Sequence, residues 1–200
     1  MATRAAERWT FEDYFTWESG QPLRHEFING EVFGMTGGTL RHSRVIVNLL
    51  ATLAGQFRGG SCVLFQGDAK LHVEAAGNSY YPDAFVCCSS GAMQERGVAT
   101  DATAIFEVLS PSTALYNRSG KFADYRRLVG LRHYVIIDPE ALTIEAFELI
   151  ERRWTLVELK DEALDLGAIG ATLSLSELFV DIGERRLAIG TPGKPDLPPD

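Results

Sequence analysis

Two carboxylates stand where the pattern of the chain asks for hydrocarbon. Glu107 lies inside Ile105-Phe106-Glu107-Val108-Leu109, and Asp83 follows Pro82 at the head of Asp83-Ala84-Phe85-Val86-Cys87-Cys88. A buried carboxylate without a partner is costly, so each must be neutral, paired or bound to a cation. If the two apolar runs are neighbouring strands, both acids reach one edge. Two carboxylates with a backbone carbonyl between strands make a hard, oxygen-rich site that suits Mg²⁺ or Mn²⁺, the ion keeping several waters. For either acid alone, a salt bridge to Arg or Lys at a strand end is the simpler expectation. The pair together, with the motif residues around them, favours the metal.

The elements that must position these acids follow from periodicity and turn chemistry. Thr10-Phe11-Glu12-Asp13 reads as a capped helix start, with the helix ending near Ser19-Gly20. His25 to Met35 reads as a hairpin about the two-residue turn Asn29-Gly30. Leu40 to Phe57 carries Val45, Ile46, Leu49, Leu50, Leu53 and Phe57 at helical spacing. Cys62 to Val73 and Tyr81 to Cys88 read as strands, parted by a turn at Ala76-Gly77-Asn78. Ala104 to Leu109 is nearly all apolar and reads as a central strand. A helix over Ser119 to Val129 precedes a meander of His133 to Ile137, Leu142 to Leu149 and Trp154 to Leu159, then a short helix over Leu175 to Phe179. The order implies an α/β fold, a mixed β-sheet flanked by helices.

The 200 residues predict one domain, over 8–182, with a Pro- and Gly-rich disordered tail over 190–200. Hydrophobic residues at 46% and charged residues at 23% supply an ordinary core. No apolar run of about 18 residues occurs, so no membrane span is expected, and Met1 to Arg8 lacks the apolar stretch of a secretory signal. Cys62, Cys87 and Cys88 form neither a disulfide framework nor a zinc spacing; they read as reduced thiols of a cytoplasmic protein. A net charge of −8 argues against a protein that coats nucleic acid. It leaves room for a metal-dependent enzyme with a local basic patch.

Other chemistry is poorly supported. Ser110-Pro111-Ser112-Thr113 has hydroxyls but no positioned His-Asp pair. Gly34 to Gly38 lacks the Lys-Ser/Thr of a phosphate loop. Trp9, Trp17 and Trp154 read as packing residues.

Tyr81-Pro82-Asp83, the block Phe106-Glu107-Val108-Leu109-Ser110-Pro111-Ser112-Thr113, and Lys121 to Arg126 together resemble the bacterial Uma-type restriction endonuclease family of the PD-(D/E)xK superfamily. The likeness includes His25-Glu26-Phe27-Ile28-Asn29-Gly30-Glu31, Arg41-His42-Ser43 and His133 to Pro139, and covers roughly residues 8–180. It implies a restriction-endonuclease-like core that holds Mg²⁺ or Mn²⁺ through Asp83, Glu107 and the Val108 carbonyl, with Glu26 completing the site. The superfamily lysine normally follows the second acid by two residues. That position here is Leu109, and Lys121 matches the recurring lysine of the family instead. Asn117 stands where many relatives carry Asp.

The function this implies is hydrolysis of DNA phosphodiester bonds, with a homodimer as the simplest way to cut both strands. Lys121 would orient the attacking water or stabilise charge on the phosphate; the alternative is a solvated lysine paired with Asp124 or Asp83. Arg41 and His42 at a helix start, Arg118 in the basic stretch to Arg132, and Gln66 and Lys70 on a flanking strand are candidate substrate contacts. The competing reading is a non-catalytic nucleic-acid-binding or protein-interaction module that retains the fold.

Overall fold

A computed structural model describes residues 8–35, 37–89, 97–110, 116–157, 159 and 163–182. Pro111 to Thr113 and the tail from Gly190 lie outside the described residues.

Helix α1 (Phe11–Glu18) starts as expected: Thr10 accepts from the backbone of Asp13, which caps Thr10 in return. Strands β1 (His25–Ile28) and β2 (Glu31–Gly34) form the hairpin. Asn29 and Gly30 both have positive φ, 52° and 83°, as a type I′ turn requires. Gly30 is doubly constrained, because a Cβ there would meet the Arg8 side chain at 2.8 Å. Helix α2 (Leu40–Gln56) turns Val45, Leu49 and Leu53 inward.

The expected strand over Cys62 to Val73 is two strands in different sheets. β3 (Val63–Gln66) and β4 (Lys70–Val73) are parted by a turn closed by Ala69 N–H donating to the Gln66 carbonyl at 2.8 Å. Gly67 and Asp68 are the turn residues that mark this break. The expected strand over Tyr81 to Cys88 is likewise shorter. β5 (Asn78–Tyr80) pairs with β4, the chain passes through Pro82, and β6 (Ala84–Cys87) joins the other sheet. Pro82 has no N–H to give to a ladder, which fixes the change of sheet there.

Two further strands are β7 (Val98–Ala99) and β8 (Ala104–Val108). A π-helical turn, Asn117–Lys121, runs into helix α3 (Phe122–Tyr125). This replaces the longer helix expected over Ser119 to Val129. The wide turn places Asn117 and Lys121 both inside, and Gly120 permits it, because a Cβ there would overlap the Tyr116 ring. The meander follows as β9 (His133–Asp138), β10 (Thr143–Ile150) and β11 (Arg153–Val157). An unanticipated hairpin, β12 (Ala163–Leu166) with β13 (Ala171–Ser174), leads into helix α4 (Leu175–Leu178).

A six-stranded mixed sheet runs β11-β10-β9-β8-β6-β3, with only β8 and β9 parallel. A five-stranded sheet runs β2-β1-β5-β4-β7. Alternation along the central strands makes two cores. Ala84, Val86, Phe106, Val108, Val135 and Ile137 face α2, α4 and the last hairpin. Phe85, Ile105, Leu109, Tyr134 and Ile136 face the second sheet, meeting Leu71, Val73 and Tyr80. The expected α/β class holds, with the strands shared among three sheets and much of one face covered by a sheet rather than by helices.

Cys62 and Cys88 are joined in a disulfide, which overturns the reading of reduced thiols for that pair. They lie just beyond the register pair Val63 and Cys87 of β3 and β6, so antiparallel pairing sets them opposite each other. Cys87 is a free, buried thiol.

Asn48 ties α2 to the C-terminal turn, its amide donating to the carbonyls of Leu178 and Val180 at 3.0 and 2.9 Å. Asn48→Ala should cost roughly 1–3 kcal/mol by orphaning two acceptors. Urea unfolding measures this, and an unchanged midpoint would show that the C-terminal helix is not held there.

Candidate active site

Strands β6 and β8 are antiparallel with Ala84 opposite Phe106, so one further step sets Asp83 across from Glu107. Asp83 is fixed at the strand end, its Oδ2 accepting from Val108 N–H at 2.7 Å. Glu107 falls on the face of β8 shared by Ile105 and Leu109, between the two sheets, and is 2% exposed. Its Oε1 accepts from the Tyr125 hydroxyl at 2.9 Å and from Lys121 Nζ at 3.2 Å; Oε2 is 3.4 Å from the same ammonium. Glu26, from β1 of the other sheet, places Oε1 2.7 Å from Lys121 Nζ. One ammonium therefore joins an acid of each sheet.

Lys121 and Tyr125 stand four residues apart, so one helical face presents both to Glu107. Asn117, at the start of the same segment, is 2% exposed, and its Oδ1 has no hydrogen-bond partner. From α2, His42 brings Nε2 to 3.6 Å from Asp83 Oδ1. Thr39 caps that helix by accepting from His42 N–H at 3.1 Å. A Cβ at Gly38 would overlap the His42 ring, so the glycine makes room for the imidazole. Glu26, Gly38, His42, Asp83, Asn117 and Lys121 line a cleft of about 140 Å³ with Phe33, Gly34, Met35, Val108 and Ser110, and Glu107 lies behind Lys121.

The charges are unbalanced. Burial pushes Glu107 up to about 7; Lys121 opposes this, and Asp83 and Glu26 add to the rise. Burial works against the Lys121 ammonium, but Glu107 and Glu26 outweigh it and raise its pKa, so it remains a cation. The Asp83 carboxylate raises His42 against the effect of burial, helped by the Val108 backbone. Three acids thus share one firm cation.

The structure brings together Glu26, His42, Asp83, Glu107, Val108 and Lys121. Lys121 is neither solvated nor paired with Asp124, which instead accepts from Tyr80 and Asn78, both at 2.6 Å. Gln66 lies across from Ala84 on the outer strand β3, exposed and bonded to Asp68. Lys70 is not in the cleft: it is buried in the second sheet with Nζ 4.5 Å from the Tyr14 ring centroid and 4.9 Å from that of Phe15. Arg41 pairs with Glu140 at 3.0 Å, and Arg118 with Glu145 and Asp138 at 2.7 and 3.6 Å. Of the remaining basic stretch, Arg127 and Arg132 bond to backbone carbonyls. Tyr125, Phe33 and Met35 are site residues that the sequence reading passed over. The four-residue step from Lys121 signalled Tyr125; Phe33 follows from the hairpin register, which sets it opposite Glu26.

Among the described residues no three His, Cys, Asp or Glu side chains form a ready-made ion cage. Mg²⁺ does not need one, since it is commonly held by one or two carboxylates and keeps its waters. Asp83, Glu107 and the Val108 carbonyl are all oxygen donors, and the surplus negative charge favours a dication. The donor set fits.

In this mixed α/β fold, Asp83 and Glu107 stand on adjacent strands, and an ammonium links Glu107 to Glu26 of the second sheet. The Uma2 family, described as "Putative restriction endonuclease", matches residues 11–178, and the chain belongs to it. Two uncharacterised proteins of a Synechocystis strain are similar: slr1290 is 28% identical over 170 residues, 84% of this chain and 90% of that one. The other, sll1609, is 28% identical over 160 residues, 78% of this chain and 90% of its own length. The fold is similar to a crystal structure described as a putative nuclease belonging to DUF820 from Anabaena variabilis, with a TM-score of 0.67 at 16% identity, covering 85% of this chain and 97% of that one.

Glu107 gives a pH test in chelator. An acid raised from 4.5 to about 7 favours its protonated, folded form. The stability this contributes is present in full below the unfolded pKa and is lost as pH rises through the folded one. Melting temperature should therefore fall between about pH 5 and about pH 8, and Glu107→Gln should flatten that fall. Parallel profiles for the two proteins would remove Glu107 as the titrating group.

Proposed function

We propose that this protein is a metal-dependent endonuclease that hydrolyses phosphodiester bonds in DNA. The observation that carries this reading is the Lys121 ammonium, held 2.7 Å from Glu26 and 3.2 Å from Glu107 on the wall of a cleft that also contains Asp83. A purely structural ion pair would not require a third acid and a half-buried histidine at the same opening.

Asp83, Glu107 and the Val108 carbonyl would hold Mg²⁺ or Mn²⁺. Such an ion, when bound, acidifies water and screens the scissile phosphate. The remaining work falls to the chain. Lys121 is too firmly protonated to serve as a base, so its part is to donate to a phosphate oxygen as charge develops there. Glu26 keeps that ammonium aimed into the cleft. Tyr125 fixes Glu107 Oε1, leaving Oε2 the freer oxygen. Val108 N–H holds Asp83 Oδ2, which leaves Oδ1 turned toward His42 and the opening. Leu109 packs with Tyr125 and Tyr134, so the ammonium enters from the helix side while the strand position that usually carries it serves the core.

Cleavage of single-stranded and duplex DNA with Mg²⁺ or Mn²⁺ tests the reading. Asp83→Ala, Glu107→Ala and Lys121→Ala should each reduce the rate about 10²-fold or more. Cleavage that persists in both acid variants would remove the mechanism. Mg²⁺ or Mn²⁺ should also raise the melting temperature of the wild type but not of Asp83→Ala.

A further inference from the structure

The cleft is too small for its proposed substrate. At about 140 Å³ it is well under the ~300 Å³ at which small-molecule sites begin, so it admits a phosphate and not the nucleoside attached to it. The adjoining base must lie on the rim. There the hairpin presents Phe33, 46% exposed, and Met35, 39% exposed, both lining the opening. Phe33 is not an incidental surface residue. It pairs across the hairpin with Glu26, so the two side chains share a face, and Glu26 is the acid that holds Lys121. Met35 is two residues on, on the same side of the extended chain. An aromatic ring and a thioether therefore flank the candidate catalytic ammonium.

The cations near the opening point the same way. Arg41, beside His42, is engaged by Glu140, and Arg118, beside Asn117, is engaged by Glu145 and Asp138. With a net charge of −8 on the chain, each phosphate that either arginine takes up must displace a carboxylate. Duplex binding rests mainly on rows of such phosphate contacts. Single strands can instead be held by aromatic side chains, because an unpaired base offers its π-face. A base inside a duplex has both faces covered by its neighbours.

We propose that Phe33, supported by Met35, is a stacking platform for the base next to the scissile phosphate, and that the site takes single-stranded or locally unpaired DNA. This rests on the endonuclease reading for the phosphate's place. It also removes the need for two symmetric sites that cleavage of both duplex strands would impose.

The test is fluorescence anisotropy with the full chain in EDTA, where no cleavage occurs, using a labelled 20-nucleotide oligothymidylate and a 20-base-pair duplex. The single strand should bind about tenfold or more tighter than the duplex. Phe33→Ala should lose about tenfold for the single strand, and Phe33→Trp should retain the affinity. Binding of the single strand should also weaken only gently with salt, as few phosphates are neutralised. Since Phe33 is exposed, circular dichroism of both variants is expected to match the wild type. If Phe33→Ala is misfolded, Phe33→Leu against Phe33→Trp separates ring from bulk, and equal affinities would overturn the proposal. A preference for duplex, an unchanged Phe33→Ala, or no binding of either DNA would overturn it as well. Stacking-dependent binding with no metal-dependent cleavage would uphold the platform and defeat the endonuclease reading. Cleavage of duplex that is indifferent to Phe33 would do the reverse.

Discussion

A single ammonium held among three acids is the constraint around which this molecule is arranged. Lys121 reaches Glu107 of the six-stranded sheet and Glu26 of the five-stranded sheet, and it is nearly out of contact with water. Burial works against the charge of both Lys121 and Glu107, and each helps to keep the other ionised. The two sheets therefore have to pack with β1 and β8 close together, and the segment carrying Lys121 has to enter between them. The π-helical turn, Gly120 and the inward Asn117 are the local means by which it does so.

The cluster remains short of positive charge even when Lys121 is counted, and that shortage adds to the burial that raises Glu107. That imbalance distinguishes the site from Glu18, the other buried acid among the described residues. Glu18 is saturated: it accepts from His25 N–H and from the Tyr81 hydroxyl, with the His25 ring 2.9 Å away. One buried carboxylate is satisfied by neighbours that hold the fold together. The other shares its one cation with Glu26, behind the wall of a cleft.

Much of this could be read from residue order, and the exceptions have identifiable physical causes. Asp83 and Glu107 announced themselves because each interrupts an apolar strand, and their pairing follows once those strands are neighbours. The Asn29-Gly30 turn fixed the first hairpin because both residues must take positive φ. The single strand expected over Cys62 to Val73 failed because Gly67-Asp68 is a turn, and residue order gives no sign of which sheet each half joins. Lys70 looked like a substrate contact from its place beside Gln66, yet it is buried among Tyr14, Phe15 and Tyr81, contacts that only the tertiary fold creates. The disulfide was missed for a similar reason: Cys62 and Cys88 are opposite each other only in the β3–β6 register. The hairpin of β12 and β13 is short, and its exposed alternate residues made it look like loop.

The residues of the cleft are contributed by β1, β2, α2, the ends of β6 and β8, and the turn before α3, spanning the chain from Glu26 to Lys121. No local segment contains even a rudimentary version of the site. Joining residues so far apart in sequence costs loop-closure entropy that sheet pairing and collapse must offset. A chain still emerging from synthesis, or one opened at either sheet, thus has its acids scattered and hydrated and its lysine free in water. The fold itself acts as a safeguard of timing: any capacity to cut a polynucleotide arises only when the whole domain has closed, and it is lost when the domain opens.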